Sequence, residues 1–269
     1  MNFEPPNRQY GDQDEGRSAH ERHLERMLSY YASTAGDYNR WHWDRTGGSF
    51  HDYAVDEVIS VLRTTGSNTL LDVCCGTGRA VKAAIDNGYQ ATGVDISDEL
   101  LSIGKKELGI PEKTLVQADA TRLPFPDESF DIACILGALH HTAMPRLIIS
   151  EMIRVSRVGL VISDEANGLS GGIKKLLVRL GVFKPIYRLI FRREPRQHRR
   201  EFELPGDGPR FAFTIEEVLP LLKSEFLKFK CLTFYSLRRR QIHSYYLPRL
   251  FAKHGIVTVW NKTQKKRSP

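Results

Sequence analysis

The chain has 269 residues, 41% of them hydrophobic and 10% aromatic, enough for one large α/β domain with insertions or for two small ones. It has no run of about 18 apolar residues, and residues 1–20 lack an apolar h-region, so neither a membrane span nor a secretory signal is expected. The net charge of +7 is unevenly spread: residues 1–170 hold 16 basic against 25 acidic side chains, residues 171–210 hold 11 against 4, and residues 211–269 hold 12 against 3. The basic rear suggests either an anionic partner or a solvated face.

Residues 1–20 are polar and read as a flexible arm ahead of one domain over 21–269. "HLERMLSYYASTAGDYNRW" has helical spacing, and "NTLLDVCC" is then a compact apolar run, a buried strand ending at glycine. A helix follows over "RAVKAAIDNG", with Gly88 as its C-cap candidate. "YQATGVDIS" is a second strand, after which Ser97 can cap a helix carrying Asp98 and Glu99 in its first turn. "TLVQAD" and "FDIACILGAL" are the third and fourth strands, "AMPRLIISEMIRVS" is an amphipathic helix, and "GLVISDEA" is the fifth strand. Alternation then breaks for about 45 residues and resumes at "FTIEEVLPLLK", where Thr214 and Glu217 form a capping box. Strands "FKCLTFYSL" and "GIVTVW" finish the domain, which leaves insertions at about 168–212 and 238–253. Apolar strands alternating with helices predict a doubly wound, mostly parallel sheet with helices on both faces.

The four cysteines, Cys74, Cys75, Cys134 and Cys231, show no CxxC spacing and sit in apolar contexts. Reduced thiols in a cytoplasmic protein are expected, and no metal.

Ligands of such sheets lie beyond the carboxyl ends of the strands, beside the first glycine turn, here "GTGRAV". A dinucleotide fingerprint would need glycine where Val81 stands, and a P-loop would need Gly-Lys-Ser/Thr where Gly78, Arg79 and Ala80 stand. Three acids mark successive strand ends: Asp72, Asp95 (17 residues after Gly78) and Asp119. An acid within the first strand suits an amine-bearing ligand, the second can accept both hydroxyls of a ribose, and the third can accept from the exocyclic amine of adenine. The set describes a nucleoside without phosphate, S-adenosylmethionine.

"LLDVCCGTG", "GVDIS", "ADATRLPFPDESFD" and "LGALHH", in this order, resemble the class I SAM-dependent methyltransferases, in the branch of the ubiquinone and menaquinone methylases. The resemblance covers roughly residues 30–166, resumes near 211, and implies a Rossmann-like fold with seven strands and an inserted helical lid. It places Gly76 and Gly78 against the methionine part, Asp72 at its amino end, and Asp95 on the ribose. Ile96 lines the adenine, Asp119 and Ala120 read its edge, and Leu136 touches the methionine part through its backbone. Cys74 stands where the family often has glycine. Tyr38, in a stretch similar to the family's N-terminal lid, closes over the cofactor or packs as a core aromatic.

Methyl transfer from a sulfonium needs positioning, water exclusion and, for a protonated nucleophile, a base. His140 and His141 are candidates for that base or for loop-orienting residues, and Asp164 and Glu165 for substrate contacts or a strand-end cap. "GGIKKLLVRLGVFKPIYRLIFRREPRQHRR" interleaves apolar and basic residues as two short amphipathic helices would. It reads as a lid over a greasy acceptor at an anionic membrane surface, as an RNA-binding patch, or as a lid packed on the core. The expectation is therefore methyl transfer to a small-molecule, lipid-like or glycan acceptor, at oxygen before carbon. The alternatives are tRNA methylation and a SAM-binding regulatory subunit.

Overall fold

A computed structural model of the protein describes residues 13–42, 50–166, 201–204, 208–211, 213–237, 240–243 and 254–262. The expected insertion helices, the basic run Arg192–Arg193, most of 238–253 and the first twelve residues lie outside the described residues.

Two helices, α1 (Gln13–His42) and α2 (Phe50–Thr65), precede the sheet. Then β1 (Thr69–Val73), α3 (Arg79–Asp86), β2 (Gln90–Asp95), α4 (Asp98–Leu108), β3 (Leu115–Gln117), β4 (Phe130–Leu136), α5 (Pro145–Val155) and β5 (Ser156–Glu165) alternate as expected. A detached hairpin, β6 (Glu201–Leu204) with β7 (Gly208–Phe211), comes before α6 (Leu219–Glu225), β8 (Phe226–Leu237), β9 (Arg240–His243) and β10 (His254–Lys262). The main sheet runs β3-β2-β1-β4-β5-β10-β8-β9. Its first five strands pair in parallel, and β10 runs antiparallel to both β5 and β8. The seven expected strands are all present, and β9 adds an eighth at the edge.

Period-two alternation sends neighbouring residues of each strand to opposite faces. Leu70, Ile132, Cys134, Val161 and Ile256 pack under α2 and α3. Leu71, Val73, Ala133, Ile135, Leu160, Ile162 and Val257 pack under α5 and α6. Both faces being covered explains why these strands read as continuous apolar runs.

The helix ends follow their sequence signals. Ser97 Oγ accepts from Leu100 N at the start of α4, and Gly88 takes a positive φ just beyond α3. The Thr214–Glu217 capping box is present, although it closes a short 3-10 turn ahead of α6.

One boundary differs from expectation. Helix α1 begins at Gln13, inside the stretch expected to be a flexible arm, and His20 is buried. The buried face runs through His20, His23, Met27 and Ala35, with histidines where an amphipathic pattern ordinarily shows leucines, so composition hides it. Among the described residues, no helix is long and apolar enough to cross a membrane.

The parallel register brings Val73, Asp95, Gln117, Leu136 and Glu165 to one edge of the sheet. The chain moves outward from β1 to β3 and returns to β4 on the other side, which opens a crevice beyond β1 and β4.

Candidate active site

The crevice holds a cavity of about 280 Å³. Its floor is the turn after β1. Gly76 N donates to Asp95 Oδ2 at 2.8 Å and Ser97 N donates to Asp95 Oδ1 at 3.0 Å, which fixes the carboxylate between the glycine loop and α4. Burial nevertheless outweighs these bonds and raises the Asp95 carboxyl above its ordinary range. Asp72 is less compensated. It is buried within β1, and its Oδ1 accepts from the Cys134 thiol at 3.3 Å. Burial pushes it up to about 7, against the weaker pull of the thiol. Burial, with the neighbouring carboxylates, also pushes the Cys74, Cys75 and Cys134 thiols up, so they stay protonated.

The loop's backbone is tight. Gly76 has φ 56° beneath the Tyr38 ring, and a Cβ there would lie 3.0 Å from the Tyr38 hydroxyl. Cys74 also takes a left-handed φ, 55°, which accounts for the family's frequent glycine at that place. Helix α1 is fastened over the loop: Thr77 Oγ1 donates to Asn39 Oδ1 at 2.8 Å, and Asn39 Nδ2 donates to Glu107 Oε2 at 2.6 Å.

Asp119 lies two residues beyond β3, with its carboxylate already engaged. Its Oδ1 accepts from Thr121 N and Thr121 Oγ1, both at 2.8 Å, and its Oδ2 is 3.2 Å from His20 Nε2. Burial works to raise this carboxyl, but the bonds with His20 and Thr121 outweigh it and hold it at about 2. Reading an adenine amine there requires His20 to share or yield its contact.

The cavity walls are rich in imidazole: His20, His23, His51, His140, His141 and His254, six of the nine histidines, line them. Among the described residues, no three His, Cys, Asp or Glu side chains are grouped as metal ligands would be. His140 and His141 sit in a 3-10 turn after β4. His140 Nδ1 is 2.8 Å from Asp164 Oδ1. Asp164 also accepts from the amides of Leu139 at 2.8 Å, His140 at 3.3 Å and Glu165 at 2.7 Å. Burial disfavours its charge, but His140 and these donors hold its carboxyl below the ordinary range. A carboxylate can only accept, so Nδ1 carries the proton and Nε2 is the nitrogen able to take one.

His141 turns elsewhere. Its Nδ1 is 2.8 Å from Pro209 O in β7, its own carbonyl accepts from His23 Nε2, and its ring centroid is 4.1 Å from that of His140. Glu165 Oε1 pairs with Arg210 Nη2 at 2.6 Å.

The cavity therefore brings together Tyr38, Asp72, Cys74, Gly76, Asp95, Ile96, Asp119, Ala120, Leu136, His140, His141, Asp164 and Glu165. Gly78 does not line it. This residue sits behind the loop with φ 82°, where a Cβ would come 2.7 Å from Ile110 Cδ1, so its work is to let α3 pack. Sequence reading missed His20, His23, His51 and Arg210. The first two had a signal, helical spacing with Met27 and Tyr38; Arg210 had none, since the fold alone sets it beside Glu165.

Asp72 and Asp95 present acceptor oxygens, which suit ammonium or hydroxyl donors better than a phosphate. Comparison with known proteins identifies the family. Residues 71–162 match the family model described as a methyltransferase domain. The chain is 32% identical over 184 residues to a demethylmenaquinone methyltransferase of Staphylococcus epidermidis, covering 66% of this chain and 69% of that one. With the Staphylococcus aureus MRSA252 protein of that name it is 34% identical over 160 residues, 58% of this chain and 59% of the other. The fold matches magnesium protoporphyrin IX methyltransferase from Synechocystis PCC 6803 with bound SAM, at a TM-score of 0.56 and 16% identity over 88% of this chain and 96% of that one. It also matches a Thermotoga maritima SAM-dependent methyltransferase at a TM-score of 0.51 and 18% identity, over 86% and 97%.

The methyltransferase family model and the relatives of that name define a SAM-dependent methyltransferase. The chain belongs to the class I SAM-dependent methyltransferase family, in its menaquinone and ubiquinone methylase branch.

Proposed function

We propose that this enzyme methylates an apolar ring acceptor bearing a hydroxyl group, with the His140–Asp164 pair as its base. The observation that carries this reading is the 2.8 Å bond between His140 Nδ1 and a buried Asp164, in the same cavity as Asp72 and Asp95.

Asp95 would hold the ribose hydroxyls, Asp72 the ammonium group, and the Gly76 backbone, under Tyr38, the methionine chain. Bound there, S-adenosylmethionine supplies a methyl group on a cationic sulfur, already activated for in-line displacement. Helix α1 then excludes water from the cavity. Asp164 fixes the His140 tautomer, so that Nε2 can remove the proton from an acceptor hydroxyl. Proton loss makes the oxygen nucleophilic first, and through the ring also the adjacent carbon. The relatives named demethylmenaquinone methyltransferase support a quinone-like ring as the acceptor class.

The test is turnover. Purified protein, SAM carrying a deuterated methyl group and a panel of naphthols and quinols should yield S-adenosylhomocysteine only when an acceptor is present, and NMR of the product locates the label. SAM binding without turnover on any hydroxylated ring would defeat the reading.

A further inference from the structure

Of the described residues that line the cavity, Arg79 and Arg210 are the only arginine or lysine side chains, and they occupy different ends. Arg79 opens α3 beside the glycine loop, 3.7 Å from Asp52. Arg210 lies at the acceptor end, 6% exposed, and pairs with Glu165, the residue next to the Asp164 that holds His140.

The two partners of this ion pair are held very differently. Arg210 rides on β7, which is fixed on each side of it. The Pro209 carbonyl accepts from His141 Nδ1 at 2.8 Å, and the Phe211 ring lies 4.8 Å from that of His23. The Glu165 side chain is 38% exposed and ends β5, so it can turn into water. A buried guanidinium needs an anionic partner at all times, because an uncompensated buried charge is strongly unfavourable. A fixed cation and a releasable anion make an exchange site. Its planar fork of donors suits a carboxylate or an aryl oxide.

We propose that Arg210 is an acceptor-binding residue that holds a second, negatively charged oxygen of the acceptor in place of Glu165. This assignment rests on the ring-hydroxyl reading above and narrows it: the acceptor carries an anionic oxygen besides the hydroxyl presented to His140. That oxygen comes either from a second ionised ring hydroxyl or from a ring carboxylate.

Calorimetry on the full chain saturated with S-adenosylhomocysteine separates these sources, with three probes: 1-naphthol, 1,4-naphthalenediol kept reduced, and 1-hydroxy-2-naphthoate. At least one of the two doubly oxygenated probes should bind about tenfold or more tightly than 1-naphthol, as one charge-assisted contact implies. Which one does so identifies the source. In Arg210→Gln the advantage should vanish while S-adenosylhomocysteine affinity holds. In Glu165→Gln, which removes the competing carboxylate, the same probe should bind several-fold more tightly, a gain that misfolding cannot produce. Equal binding of all three probes, an advantage that survives Arg210→Gln, or weaker binding in Glu165→Gln overturns the Arg210 assignment alone. Failure of every probe to bind, with S-adenosylhomocysteine in place, overturns the ring-acceptor reading and the assignment together.

Discussion

The two ends of the cavity use the same side chain, an aspartate at a strand's carboxyl end, with the carboxyls shifted in opposite directions. Beside the glycine turn, burial of Asp72 and Asp95 outweighs the bonds they accept, and their carboxyls are raised. At the acceptor end Asp164 is as deeply buried, yet His140 and backbone donors from Leu139, His140 and Glu165 hold its carboxyl down. Burial is common to both, so the imidazole of His140, paired with Asp164 at 2.8 Å, decides. A carboxylate the protein satisfies by itself is a fixed anion and serves to hold a neighbour. One raised by burial gains most from a neighbour that brings a donor or a positive charge. Asp119 falls with Asp164, satisfied by Thr121 and by His20 from α1.

The most damaging break of this contrast is at the satisfied end. Asp164→Asn removes the charge that fixes the His140 tautomer, and kcat should fall about 1,000-fold, within the range general bases supply. The dissociation constant for S-adenosylhomocysteine should stay within about twofold. Steady-state kinetics and calorimetry on the same preparation check both numbers, and an equal loss in both would mean that Asp164 serves structure only.

Next in size is Asp95→Ala. It deletes the ribose acceptor and frees the Gly76 and Ser97 amides, so SAM should bind about 100-fold more weakly, as the loss of two bonds to a charged group implies. Unchanged binding in a titration would remove Asp95 from the site.

Asp72 sharpens the comparison through pH. An ammonium group needs its ionised form, and with its carboxyl at about 7 SAM affinity should fall about tenfold from pH 8 to pH 6. Asp72→Asn should flatten that slope. Stability in the absence of SAM runs the other way. Because the folded value is raised from 3.8, Asp72's favourable contribution is whole below pH 3.8 and is lost as pH rises through about 7. Thermal melts should therefore show the Asn variant gaining on the natural protein at pH 8 and not at pH 4.

The smallest effect concerns the cysteine pair. Cys74 takes a left-handed φ and Cys75 does not. Cys74→Gly relieves strain that offsets the lost side chain, so stability should stay within about 1 kcal/mol. Cys75→Gly only removes a packed side chain and should cost about 2 kcal/mol. Denaturant titrations compare the two, and equal losses would show that the strain at Cys74 is negligible.

Much of this molecule is written locally. Alternating apolar runs set the strands, Ser97 and Thr214 cap their elements, and the glycine turn sits with Asp72 and Asp95 at the carboxyl edge. These features follow from short-range rules of periodicity, capping and turn geometry, so sequence by itself determined the fold class and the ligand type. What tertiary structure alone decided is which polar groups meet across long separations. His20 finds Asp119, His140 rather than His141 receives Asp164, and Arg210 reaches Glu165. No local pattern encodes such pairs, because each depends on the register of a distant strand or on the docking of a helix. Whether a buried acid is raised or lowered turns on those partners, and with it the division between residues that hold the protein and residues that await a ligand.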